Sequence, residues 1–230
     1  INVTSIPRPN ISAQNPPLAC APNTVNLTSI VISNTGSGGG FVTYHADSID
    51  AVAGTPFLPS TIISNSGTYW IRMTSGNNCY DVTSVDVTIE NPQLSVIDPQ
   101  PTCSPNTIDL ASVSINETNG FSNGSFTFYE DSLDATIMAN AMSNTIVSQT
   151  NTYWVRYETP NGCFDVERIN IVIDITPDLS DPITLAPICP GEMVDLDTIN
   201  LPDANGATLD FKFFYTSEAV ALLGFPGLAM

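Results

Sequence analysis

The sequence predicts an all-β fold of tandem sandwich domains, about seven strands each, arranged head to tail. Three observations predict it. One unit of sequence recurs: Cys20-Ala-Pro-Asn-Thr-Val-Asn-Leu returns as Cys103-Ser-Pro-Asn-Thr-Ile-Asp-Leu and, more loosely, from Cys189. Apolar and polar residues alternate in runs such as Val85-Asp-Val-Thr-Ile, which is the spacing of half-buried strands. Amphipathic helical spacing is scarce, with residues 135–141 as the one candidate.

The length of the repeat sets the size of each domain. Cys20 and Cys103 are 83 positions apart, and Cys103 and Cys189 are 86 apart. This period exceeds the roughly 20 to 50 residues of solenoid repeats and approaches the roughly 100 residues of an immunoglobulin-type sandwich. The expected domains are the last strand of a preceding repeat at 1–8, complete repeats at 9–91 and 92–176, and a truncated third repeat at 177–230.

Strands can be placed in order along the first repeat, and the second repeat follows the same order. The expected strands are 9–14, 24–31, 41–46, 50–53, 60–64, 67–74 and 79–90. The last two should form a hairpin, because only Ser75-Gly-Asn-Asn joins them. Tyr69 and Tyr153 stand where such sandwiches place a tyrosine corner, and Ile71 and Val155 stand where a core residue belongs.

The charge balance excludes some partners. There are 23 acidic residues against five basic ones, so the formal net charge is −18. Such a surface repels phosphate backbones, and no nucleic-acid partner is expected. No apolar run approaches the roughly 20 residues that cross a bilayer, so no membrane insertion is expected. No cofactor is expected either: calcium has only the pair Asp195 and Asp197, without an Asp-x-Asp-x-Asp-Gly loop.

The sequence contains few of the residues and motifs that are typical of catalytic sites. Its one histidine, His45, has Glu130 at the matching position of the second repeat and is expected to be a surface strand residue. No Gly-x-Ser-x-Gly motif and no Cys-His pairing accompany it. We therefore predict that the chain is not an enzyme.

The cysteines recur at two positions per repeat. They are Cys20 and Cys79 in the first repeat, Cys103 and Cys163 in the second, and Cys189 in the third, whose partner would lie outside this sequence. Because Cys-x-x-Cys spacing is absent, we expect disulfides and an oxidising, extracellular setting rather than a metal site.

Periodicity alone does not decide which cysteines pair. The first expectation is closure within a repeat, Cys20 with Cys79 and Cys103 with Cys163. The alternative follows from topology, because the turns that hold the two cysteines of one repeat lie at opposite ends of such a sandwich. Cys20 would then bond to Cys163 and join neighbouring domains.

The motifs together resemble a known domain type. The repeats share a Cys-x-Pro/Gly start, followed by Val-x-Leu or, in the second repeat, Ile-Asp-Leu. The two complete repeats continue with an aromatic strand, Thr-Tyr-Trp at 68–70 or 152–154, and Asn-Cys or Gly-Cys before a closing Val/Ile-rich strand. This order resembles the immunoglobulin-like repeat domains of large surface proteins of Bacteroidota. The resemblance implies a cell-surface adhesin or filament, export by the type IX secretion system, and association with gliding motility.

The same resemblance implies a modification. Such organisms O-glycosylate Ser or Thr that follows Asp and precedes an apolar residue, and Ser48, Ser132 and Thr198 match. Asp-Ser is also a turn signal, and both interpretations can hold together.

The predicted function is a non-catalytic structural and adhesive repeat segment of a long extracellular protein. Its partners would be neighbouring repeats, together with surface glycans or other cell-surface proteins. The alternative is a carbohydrate-binding module array of a secreted polysaccharide-acting enzyme. In that case Trp70 and Trp154, on the opposite strand face from Tyr69 and Tyr153, would stack on sugar rings.

Overall fold

The computed structural model describes residues 8–36, 39–178, 185–196, 199 and 203. These residues form short strands, two six-residue α-helices and two brief 3-10 helices. Residues 1–7 and most of 177–230 lie outside them. The expected strand at the N-terminus and the expected third repeat therefore stay predictions.

The two repeats contain the same elements in the same order. The first has β1 (Ile11–Ala13), β2 (Ala19–Cys20), β3 (Val25–Asn26), β4 (Ile32–Asn34), β5 (Gly40–His45), α1 (Ser48–Ala53), β6 (Ile62–Ile63), β7 (Gly67–Ser75), β8 (Tyr80–Val87) and β9 (Ile89–Glu90). The second has β10 (Leu94–Ile97), β11 (Thr102–Cys103), β12 (Ile108–Asp109), β13 (Ser114–Glu117), β14 (Ser125–Tyr129), α2 (Ser132–Ile137), β15 (Ile146–Val147), β16 (Asn151–Glu158), β17 (Phe164–Ile171) and β18 (Ile173–Asp174).

The strand pairings of the first repeat recur in the second. In the first, β1 pairs with β4, β3 with β6, and β5-β7-β8 form a three-stranded sheet, while β2 runs parallel to β9. In the second, the corresponding pairs are β10-β13, β12-β15, β14-β16-β17 and β11-β18. The hairpin predicted from the short Ser75-Gly-Asn-Asn link is confirmed as β7 and β8, with Ile71 opposite Thr83.

The core of the first repeat takes side chains from β1, β3, β6, β7, β8 and β9 and from the 3-10 turn after β3. Its buried members are Ile11, Val25, Leu27, Ile63, Ile71, Val85, Val87 and Ile89. Ile71 and Val155 are fully buried, as predicted. The Tyr69 hydroxyl donates to the carbonyl of Asn65 at 3.2 Å, which is the backbone bond of a tyrosine corner. These features confirm the predicted all-β fold of tandem immunoglobulin-like sandwiches.

The described residues group into two compact units. The first contains the described residues within 8–96, 115–142 and 154–168. The second contains the described residues within 97–114 and 143–153 and those from 169 onward. The first unit contains the sheet β5-β7-β8 and both helices, and the second contains the strand pairs β11-β18 and β12-β15.

Two predicted strands are wrong. The strand at 24–31 is interrupted after Asn26, because the Asn26 side chain accepts from Thr28 N at 3.0 Å and caps a 3-10 turn over Leu27–Ser29. The strand at 50–53 is the helix α1. Asp47 caps its first turn by accepting from Asp50 N at 2.9 Å, and Gly54, with φ of +82°, ends it in the left-handed conformation.

An arginine from the adjoining sheet satisfies the last carbonyls of each helix. Arg72 donates to the carbonyls of Ala51 and Val52 at 2.9 and 2.5 Å. Arg156, which is buried, donates to those of Ala135 and Thr136 at 3.1 and 3.0 Å. A cation at this end also complements the helix dipole. These bonds tie each helix to the strand that carries the Thr-Tyr-Trp motif.

The prediction that His45 lies on the surface is wrong. Its side chain is fully buried, with Nδ1 2.7 Å from the carbonyl of Pro56 and Nε2 2.9 Å from the Thr43 hydroxyl. Its ring also packs against Phe57, with centroids 5.5 Å apart. Both ring nitrogens have partners within the protein, so His45 is a structural residue.

The Glu117 carboxylate, at the end of β13, accepts hydrogen bonds from the backbone of the loop that follows, and its ionisation makes stability depend on pH. Loss of solvation opposes its ionisation, but N–H groups of Gln93, Asn119, Phe121 and Gly120 donate to the carboxylate, and together they hold its pKa below the ordinary value of 4.5. The stability that this carboxylate contributes is therefore fully present above pH 4.5 and is lost as the pH falls through the folded-state pKa.

We expect an NMR titration of Glu117 in the whole chain to give a midpoint below 4.5. We also expect Glu117→Gln to flatten the acid limb of the unfolding free energy. Asn34, which accepts from Asn10 N and Gly36 N at 3.0 Å each, holds the matching loop without a charge. Asn34→Asp should therefore create the acid dependence that Glu117→Gln removes. A Glu117 midpoint at or above 4.5 contradicts this prediction.

Candidate functional site: a disulfide-bonded junction

A disulfide joins the first repeat to the second. Cys20 in β2 is bonded to Cys163, which lies between β16 and β17, and their Cα atoms are 5.2 Å apart. This separation lies within the usual range for disulfides. Both residues belong to the first compact unit. The expected pairings of Cys20 with Cys79 and of Cys103 with Cys163 are therefore wrong, and the alternative that joins neighbouring domains is the one the molecule uses.

The position of Cys20 is set by strand pairing at the end of its own repeat. The chain after β1 turns back to run parallel to β9, which places Cys20 beside Glu90. Ala19 N donates to the carbonyl of Thr88 at 3.1 Å, and Ala21 N donates to that of Glu90 at 2.9 Å. Cys20 thus lies next to the last strand residue before the link to the second repeat.

The position of Cys163 is set by a tight loop. Thr159 N donates to the carbonyl of Cys163 at 2.8 Å, and Gly162 N donates to that of Thr159 at 2.9 Å. Gly162 has a φ of +84°, a conformation that glycine adopts readily. The Thr159 hydroxyl also accepts from Cys163 N at 3.2 Å. These bonds hold the fully buried Cys163 in a fixed turn.

A carboxylate is bound beside the disulfide. Glu90 is only 9% exposed, and its oxygens accept from the Thr159 hydroxyl and from Asn161 Nδ2, each at 2.6 Å. Hydrogen bonds to an ionised group are about twice as strong as neutral ones. They also offset the cost of removing the carboxylate from water. Glu90 therefore holds the loop that carries Cys163 against the strand that lies beside Cys20.

The remaining cysteines repeat these two positions. Cys103 is exposed in β11 and faces Asp174 of β18 in the same parallel register in which Cys20 faces Glu90. Cys79 is half-buried, and its loop has the bonds of the Cys163 loop: Ser75 N donates to the carbonyl of Cys79 at 2.8 Å, and Asn78 N to that of Ser75 at 3.0 Å. Cys79, Cys103 and Cys189 are free thiols here, so their predicted participation in disulfides stays a prediction.

The predicted glycosylation residues begin the two helices. Ser48 and Ser132 each follow a capping aspartate, and Asp131 accepts from Leu133 N at 2.7 Å. Ser132 is exposed and Ser48 is half-buried. Thr198 lies outside the described residues. The Asp-Ser pair is thus a helix-capping signal, and its glycosylation stays a prediction.

The two tryptophans predicted to stack on sugar rings lie in the strands β7 and β16. Trp70 and Trp154 are both half-buried in their strands. The neighbouring arginines stack on other rings, with Arg72 3.7 Å from the centroid of Tyr80 and Arg156 3.4 Å from that of Phe164. The sugar-stacking role of Trp70 and Trp154 stays a prediction.

Potential metal ligands do not cluster in the described residues. No group of three or more His, Cys, Asp or Glu side chains there could hold a metal ion. Asp197 lies outside those residues, and the expectation that Asp195 and Asp197 form no calcium site stays a prediction. Within the same residues, no helix is long and apolar enough to cross a membrane.

Family models identify the domain type. Residues 19–93 and 98–177 match the Flavobacterium inter-domain disulphide bond domain. The two matches cover more than half of the chain, so the chain belongs to this family. The description of the family agrees with the Cys20–Cys163 bond, because Cys20 lies in the first matched segment and Cys163 in the second. No curated protein matches the sequence.

Solved structures with immunoglobulin domains are similar to the chain at low identity. An I-band fragment of titin is 10% identical, with 78% of this chain and 69% of that chain covered and a TM-score of 0.43. The insect immune protein hemolin is 11% identical, with 76% and 49% covered and a TM-score of 0.39. For Sidekick-1 immunoglobulin domains 1–4 the values are 11%, 73%, 48% and 0.38. This chain thus spans about half the length of the last two.

Proposed function

We propose that this chain is a structural and adhesive segment of an extracellular array, in which disulfides join each repeat to its neighbours. The Cys20–Cys163 bond is the observation that carries the proposal. It supplies a rule: the first cysteine of one repeat bonds to the second cysteine of the next. By that rule Cys103 bonds to a following repeat and Cys79 to a preceding one.

The Cys20–Cys163 disulfide is a second connection between the two repeats, and it stiffens their junction. Domains joined by a short linker ordinarily move relative to each other. Here the chain passes from Glu90 to Leu94, and the disulfide closes a second path from Cys20 to Cys163. Two connections oppose bending about the linker, which is useful in a stalk that projects a binding surface from a cell.

Disulfides and net charge favour the outside of a cell. Structural disulfides persist in oxidising compartments, and a net charge of −18 keeps long chains soluble and apart. We propose a cell-surface location, export by type IX secretion, a role in adhesion or gliding, and glycans on Ser48, Ser132 and Thr198. Protease shaving of intact cells tests the location, and intact-mass analysis tests the glycans.

Peptide mapping tests the disulfide rule with unusual clarity. The chain has five basic residues, and Arg8 precedes a proline that blocks trypsin. Cleavage after Arg72, Arg156 and Arg168 therefore separates Cys20 in peptide 1–72 from Cys163 in peptide 157–168. Without reduction, we expect these two peptides to remain joined, with peptide 73–156 free of both.

Other outcomes would overturn the proposal. Peptide 73–156 joined to both other peptides would restore pairing within each repeat. Specific glycan binding that is lost in Trp70→Ala and Trp154→Ala would instead support a carbohydrate-binding module. Tyr80→Phe, a conservative change of an aromatic residue in the strand paired with β7, is the control for that screen.

A further inference from the structure

A buried hydroxyl in the first repeat has no partner. Ser75 is 5% exposed, and its Oγ finds no hydrogen-bond partner in the part of the chain that the structure describes. Buried polar groups in folded proteins are nearly always hydrogen-bonded, and leaving one unpaired costs free energy. The Ser75 hydroxyl therefore points to a partner that comes from elsewhere.

The second repeat shows what that partner is. Thr159 occupies the position of Ser75, four residues before the loop cysteine, and Asn161 occupies that of Asn77. The two loops share their backbone bonds, as described above. In the second repeat the Thr159 hydroxyl and Asn161 Nδ2 bind the Glu90 carboxylate at 2.6 Å each. Ser75 and Asn77 carry the same kinds of donor in the same loop.

We propose that the loop at Ser75–Cys79 is a carboxylate socket. It binds an acidic side chain at the end of the last strand of another repeat of this kind, and that binding brings the partner's cysteine to Cys79. The proposal rests on the proposed function and deepens it. In this proposal, binding of the carboxylate selects which repeat is joined, and the cysteine alone does not.

This chain also contains an acidic residue and a cysteine of the kind that the socket would bind. Asp174 ends β18 and faces Cys103 in the register in which Glu90 faces Cys20. Cys103 is exposed, and Cys79 is a free thiol. A second copy of this chain can therefore present Asp174 and Cys103 to the socket of the first copy.

The loop at 159–163 is a socket that already holds the Glu90 carboxylate, so it can be tested within one chain. The effective concentration of the Cys20–Cys163 pair is measured in a glutathione redox buffer. We expect Glu90→Gln and Thr159→Val each to lower it about ten- to a hundred-fold, the range for hydrogen bonds to a charged group. Thr159→Ser retains the hydroxyl, as Ser75 does, and should restore the original value. Asp86→Asn, an equal charge change at an exposed position of β8, is the control.

The open socket is tested between two chains, both with Cys189→Ser. One has Cys79→Ser and offers Cys103, and the other has Cys103→Ser and offers Cys79. In a glutathione redox buffer, oxidised glutathione takes up the two electrons and leaves as reduced glutathione while Cys103 and Cys79 form a mixed disulfide. We expect this mixed disulfide to form at least ten-fold more slowly with Asp174→Asn in the first chain or Ser75→Ala in the second. Reaction of each thiol with a small disulfide reagent corrects for intrinsic reactivity.

The outcomes separate the two proposals. If Cys20–Cys163 does not form in the parent chain, the proposed function fails. If it forms but Glu90→Gln and Thr159→Val leave its effective concentration unchanged, only the socket fails. Absence of the mixed disulfide, or equal rates with Asp174→Asn and Ser75→Ala, overturns the assignment of the open loop.

Discussion

Replacing both Cys20 and Cys163 with serine is expected to lower the free energy of unfolding by about 4 kcal/mol. The reason is the length of the closed loop, since the two cysteines are 143 residues apart. In the chain-entropy model, a loop longer than about 100 residues contributes almost 5 kcal/mol, and residual structure in the unfolded chain reduces that value. Both cysteines are replaced together so that neither leaves an unpaired thiol that could bond to Cys79, Cys103 or Cys189.

Urea unfolding followed by tryptophan fluorescence measures this effect, because each repeat has one indole, Trp70 or Trp154. Mild reduction of the parent chain should reproduce the loss in the double variant. Cys189→Ser, at an exposed free thiol, is the matched control and should change the free energy by less than about 0.5 kcal/mol. An unchanged midpoint after reduction contradicts the predicted contribution of the bond to stability.

The fold could be predicted because its signals are periodic and duplicated. Alternating strands and a repeated motif identify the domain type without any contact information. The helix α1 was missed because six residues are too few to show helical periodicity, and its Asp47 cap was interpreted as a turn. A capping residue followed by Asp50 in the first turn was the local signal that could have revealed it.

The disulfide pairing lay beyond what periodicity can decide, because every repeat contributes the same two cysteines. The topological argument pointed the right way: β2 runs beside β9, so Cys20 lies at the end of its repeat that leads to the next one. The preference for closure within a domain outweighed it in the prediction. Connectivity depends on which ends of neighbouring domains meet, and that is a property of the folded array.

Glu90 was missed for a different reason. Acidic residues occur throughout this chain, so composition singles out none of them. Its signal is positional: an acid closes the last strand of each complete repeat, as Glu90 and Asp174, in register with the first cysteine. Only the strand pairing connects two residues that are so far apart in sequence.

Leu27→Ala is expected to lower the free energy of unfolding by about 3 kcal/mol, within the range for a fully buried leucine. Leu27 is 0% exposed and packs in the core of the first repeat. The 3-10 turn capped by Asn26 inserts it there. The leucine therefore recurs in both repeats, in Val25-Asn-Leu27 and Ile108-Asp-Leu110, although a 3-10 turn replaces the continuous strand that was expected. Deleting the side chain leaves a cavity that a short capped turn cannot collapse to fill.

Val31→Ala is the control, because Val31 follows the same turn but is 69% exposed, and its cost should stay below about 0.5 kcal/mol. Leu110→Ala is the matched variant in the second repeat: Leu110 is also 0% exposed and follows the capping residue Asp109. Similar losses from Leu27→Ala and Leu110→Ala would show that the motif performs one structural task in both repeats. A loss below about 1 kcal/mol at either site would contradict its role as a core anchor.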